Sequence, residues 1–112
     1  MIGADKIEEI VATYRKYGWI LRRVLLTEHT KNKLEDSATT LFGESPLRDS
    51  TIDAAWFSRP PQSGGVSWEL RYLGDSPFAL LEKVDEHDPE FENVLSDVET
   101  RLRDAIAVKN EA

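Results

Sequence analysis

The sequence predicts an α+β domain: a mainly antiparallel four-stranded sheet in the element order α-β-α-β-β-β-α, with helices packed on one face. Three observations predict it. Residues 66–73 alternate apolar and polar side chains at the period of a half-buried strand. Two clusters of turn formers, residues 60–65 and 74–76, divide the middle of the chain into short apolar runs of strand length. From Asp88 onward an apolar stripe recurs at helical spacing behind a well-formed N-terminal signal.

The first element is a helix over residues 6–17. Asp5 and Glu8 have the spacing of a capping box, Ile7, Ile10, Val11 and Tyr14 form one apolar face, and Gly18 follows the basic pair Arg15 and Lys16. Residues 19–28 read as a strand with apolar residues on both sides. Simple alternation sends Arg22 and Arg23 to opposite faces. A second helix is expected over residues 31–42, capped by Thr30 and ended by Gly43, with residues 44–50 as a loop.

Three strands follow as an antiparallel meander. Residues 51–59 place Ile52, Ala54 and Trp56 on one side and Asp53, Ala55 and Phe57 on the other. Residues 66–73 turn Val66, Trp68, Leu70 and Tyr72 inward and Ser67, Glu69 and Arg71 outward, and residues 77–84 supply the third strand. The closing helix has Asp88 as its cap, Pro89 at its first position, and Phe91, Val94, Leu95, Val98, Leu102, Ala105 and Ile106 on one face.

At 112 residues the chain has the size of one domain, expected over residues 1–112, and three tryptophans and four phenylalanines give it enough apolar area for a core. It has no cysteine, which excludes disulfides, thiolate metal sites and cysteine nucleophiles. The first residues lack the apolar region of a signal peptide and no apolar run approaches a membrane span, so the expected location is cytoplasmic. The net charge is −7, and it is uneven. Residues 1–48 hold eight basic against seven acidic side chains, whereas residues 82–112 hold four against ten. An acidic end of this kind repels nucleic acid and anionic lipid.

No constellation of catalytic residues is present, so no catalytic residue, metal site or cofactor is assigned and the reading leans away from an enzyme. The cluster Asp85, Glu86, His87 and Asp88 contains metal-ligating types, but neighbours in sequence rarely converge on one ion, and Asp88 is needed as a helix cap. His29 has no nucleophile motif to serve, and Ser63-Gly64-Gly65 lacks the lysine and the following helix of a phosphate loop. Trp56 and Phe57 point to opposite faces of their strand. They are therefore core if both faces are covered, and one of them is a contact residue beside Arg59 if one face is open. The candidate binding residues are accordingly Trp56, Phe57, Arg59, Arg22, Arg23 and His29. Two functions fit them. The first is a non-catalytic protein-interaction module, its partner either another protein or a second copy of the chain, since a meander ends in a free edge strand. The second is a small-ligand domain or enzyme with an aromatic and arginine-lined pocket.

Overall fold

The computed structural model describes residues 3–60 and 66–111, so the expected hairpin loop around Ser63-Gly64-Gly65 lies outside the described residues. The elements are α1 (Ala4–Lys16), β1 (Ile20–Leu26), α2 (Glu28–Leu34), α3 (Ser37–Phe42), β2 (Leu47–Asp49), β3 (Ala54–Arg59), β4 (Ser67–Tyr72), β5 (Ala79–Lys83) and α4 (Phe91–Glu111). The sheet is α+β and rich in antiparallel pairs, but it has five strands, in the order β2-β1-β3-β4-β5. β2 pairs parallel to β1, so the sheet is mixed.

The helices cover both faces, which corrects the one-face expectation. Ala54, Ala55, Trp56 and Phe57 of β3 are all buried in succession. A strand apolar on both sides requires a cover on both sides. Ala55 and Phe57 join Leu21, Val24 and Leu26 of β1 beneath α1, α2 and α3. Ala54 and Trp56 join Leu25, Trp68 and Leu70 beneath α4, which contributes Phe91, Leu95, Val98, Leu102 and Ile106. No helix among the described residues is long and apolar enough to cross a membrane.

Local chemistry moves several boundaries. α1 starts behind Gly3 with no side-chain cap, and Asp5 sits inside its first turn. Gly18 adopts φ +86° just past the end of α1, a conformation that suits glycine. The expected second helix starts earlier and is broken in two. Thr27 caps α2, its side chain accepting from the Thr30 amide at 3.2 Å. Asp53 reaches across to complete this end. It accepts from the Thr27 amide at 2.9 Å and from the Thr30 hydroxyl at 2.7 Å, which explains why Thr30 can be fully buried. Glu35, at φ +45°, ends α2, and α3 restarts at Ser37. The closing helix starts at Phe91 instead of Pro89, and Asp88 lies in the turn before it, where its carboxylate accepts from the Glu90 amide at 2.8 Å.

Candidate functional site

β1 carries a bulge. Leu21 pairs with Phe57 and Arg23 with Trp56, so Arg22 has no partner of its own on β3. This extra residue turns both arginines to the α4 side, where alternation alone would have split them. Arg22 lies over the Trp68 ring at 4.8 Å and donates to Ser58 at 3.1 Å and Glu86 at 2.9 Å. Arg23 lies over Phe91 at 5.7 Å and grips Glu92 through both guanidinium nitrogens, at 2.9 and 2.5 Å. This bidentate hydrogen bond holds the Glu92 carboxyl below its ordinary pKa. Both arginines act as clips between the sheet and the lead-in of α4, and each already has its carboxylate. Beneath them, Trp68 Nε1 is buried with no hydrogen-bond partner among the described residues.

Trp56 and Phe57 are both core, one on each side of the sheet. Trp56 Nε1 donates to Glu99 of α4 at 2.8 Å, satisfying the one polar atom of its ring. His29 lies exposed in the first turn of α2, on a helix and not in a loop after the strand. The cluster at residues 85–88 is used structurally: Asp85 accepts from the His87 amide, Glu86 pairs with Arg22, and Asp88 accepts from the Glu90 amide in the turn leading to α4. Among the described residues no three His, Asp or Glu side chains come together in a way that could hold a metal ion.

Arg59 leads to a different place. The buried residues on the α1 side come from β1 and β3, and none comes from β4 or β5. That half of the sheet therefore lacks a helical cover. Its exposed side presents Ser67, Glu69 and Arg71 of β4 next to their cross-strand partners Lys83, Leu81 and Ala79 of β5. Leu81 is 58% exposed there. The margin of α1 forms a wall along it. Tyr14 stacks on Phe57, ring centres 4.1 Å apart and 14° from parallel, and donates its hydroxyl to Glu69 in a short hydrogen bond. Burial, followed by this bond to a carboxylate, pushes the Tyr14 phenol well above its usual pKa.

Tyr14 divides a groove into two compartments. One, about 360 Å³, is lined by Thr13, Tyr14, Tyr17, Trp19, Arg59 and Glu69. The other, about 210 Å³, runs past Lys6, Glu9 and Ile10 to Arg71. Trp19 meets Tyr14 edge-on at 6.0 Å, and Arg59 lies over the Trp19 ring at 5.8 Å. Tyr17 stands at the rim, 60% exposed. Of the candidates read from the sequence, only Arg59 borders this groove; Tyr14, Tyr17, Trp19, Glu69 and Leu81 were missed. Glu69 and Arg71 did carry a signal, being the outward residues of the best-alternating strand. A separate cavity of about 540 Å³ lies between α2 and β2, lined by Glu28, Lys31, Asn32, Asp49 and Ser50. Its walls are polar and Lys31 is paired with Asp49 across it at 3.1 Å, so it offers little apolar purchase.

No family model matches this chain, and no curated protein or solved structure matches it.

Proposed function

We propose that this protein is a non-catalytic protein-interaction module that docks its partner on the uncovered half of the sheet, beside the α1 groove. One observation carries this reading: beside a pair of otherwise covered sheet faces, β4 and β5 leave one side open, with Leu81 exposed on it and Tyr17 exposed at the rim of the α1 groove. Large apolar side chains exposed around a groove are what a contact surface offers. The non-catalytic part rests on how the polar groups are used. Glu69 is tied to Tyr14, the arginines of β1 to Glu86 and Glu92, and neither histidine side chain hydrogen-bonds to a described residue.

Site-specific cross-linking tests the reading. A photoreactive residue at position 17 or 81, in cells that naturally make the protein, is expected to give one discrete adduct that is absent when the probe sits at position 29. The adduct's protein, once purified, should bind the wild-type chain and not a Leu81→Lys variant. Adducts no different from those at position 29 would remove the proposal.

A second reading, a small-ligand domain, is favoured by the 360 Å³ compartment alone, because its size and its aromatic and arginine walls fall within the range of ligand sites. A compound that raises the melting temperature of the wild type, but not of an Arg59→Ala variant, would favour it over the first.

A further inference from the structure

We propose that β5 accepts an extended acidic segment of the partner as a sixth strand of the sheet. This rests on the protein-interaction reading above and names the partner's chemistry. The argument begins with the backbone. The Tyr72 amide donates to the Phe78 carbonyl at 2.8 Å, and the Val84 amide to the Val66 carbonyl at 3.2 Å, at the two ends of the β4–β5 ladder. Hydrogen-bonded and non-hydrogen-bonded pairs alternate along an antiparallel ladder. Leu70 with Leu80 and Trp68 with Glu82 are therefore the bonded pairs between those ends. The amides and carbonyls of Ala79, Leu81 and Lys83 consequently point outward, off the edge of the sheet.

The same three residues have exposed side chains. β5 also lacks two of the usual protections of an edge strand, proline and a bulge. It contains no proline, its register with β4 is unbroken, and its one lysine stands at its last position. A row of free backbone groups flanked by exposed side chains is the template used in strand addition.

Charge selects the occupant. The open side of the sheet carries Arg59, Arg71 and Lys83 against Glu69 alone, and Glu69 is already engaged by Tyr14. Arg59 and Lys83 make no ion pair with a described residue, and Arg71 donates to the backbone carbonyls of Tyr72 and Ser76. A locally cationic face on a chain of net charge −7 favours an acidic partner strand. Pairing β5 with β5 of a second copy would instead set two cationic faces edge to edge. A partner strand with an apolar residue beside Leu81 and carboxylates on either side fits both features.

The test uses a capped peptide in which threonine alternates with glutamate and valine, added to isotope-labelled full-length protein and followed by amide NMR. The expected result is shifts and slowed exchange at the Ala79, Leu81 and Lys83 amides. Binding should weaken with salt, and should fall about tenfold when lysine replaces glutamate in the peptide or when Lys83→Glu or Leu81→Lys is made. Leu81 and Lys83 are exposed, so both variants should fold, which their unperturbed spectra would verify. Equal binding of the lysine peptide would overturn the proposal. So would shifts confined to residues 13–19, or edge amides already protected in a free protein that sizes as a dimer. If the peptide fails while the cross-links from positions 17 and 81 persist, strand addition falls and the interaction module stands.

Discussion

The two faces of this sheet are built from the same strands but are finished differently. On one face, α4 lies on β4 and β5 and closes a core that continues under β3 and β1. Trp56 is tied to Glu99, Trp68 sits under Arg22, and Phe91 under Arg23. On the other face, α1 to α3 cover β1 and β3 and stop short of β4 and β5. Both faces bury an apolar core of similar extent, but on the α1 side it ends at β3, leaving Leu81 exposed on the same side of the sheet as Arg59 and Lys83, which make no ion pair with a described residue. Substitutions on the uncovered half of the sheet are therefore expected to disturb the packed cores less than substitutions beneath α4.

The comparison breaks most readily at Trp56. Trp56→Ala removes a fully buried ring and strands Glu99, and should cost about 3–5 kcal/mol in denaturant unfolding. A loss below about 1 kcal/mol would show that the core beneath α4 contributes less to stability than its burial implies. Tyr14→Phe probes the border between the faces. It keeps the stack on Phe57 and deletes the bond to Glu69, for an expected loss of about 1 kcal/mol at neutral pH. The sign with pH follows from the raised phenol pKa. The folded state holds the proton more tightly than the unfolded state does, so this contribution is fully present below the unfolded value of about 10. It is lost as the pH rises through that value towards the folded one. Wild-type stability should therefore fall more steeply than that of Tyr14→Phe above about pH 10, and parallel curves would refute the assignment. The smallest effect is expected on the open face: Leu81→Lys should change unfolding stability by no more than about 0.5 kcal/mol while weakening peptide binding about tenfold.

What could be read in the sequence depended on how local its causes were. β4 and α4 were legible because each carries its own period, alternation in the first and an apolar stripe in the second. β2 was not, since its three residues are all exposed and its pairing with β1 comes from a crossover over α2 and α3. The cap at Thr27 is completed by Asp53, which lies 26 residues beyond it. The candidate site was mostly hidden for the same reason. Tyr14 and Glu69 are 55 residues apart, and no spacing rule links a helix margin to the outer side of a strand that distant. Arg59 was found because its position beside Trp56 and Phe57 marked it, although the ring it covers is Trp19.

The bulge in β1 has a consequence for insertions and deletions. Leu21 and Val24 face the α1 side with two residues between them, where a regular strand would have one. Removing Arg22 therefore leaves the orientation of every apolar side chain in the strand unchanged and restores a continuous ladder with β3. Removing Val24 instead would turn one flank of the strand inside out. The gene should accordingly tolerate loss of either arginine codon, which gives the same product, at the cost of one of the two arginine clips to Glu86 and Glu92.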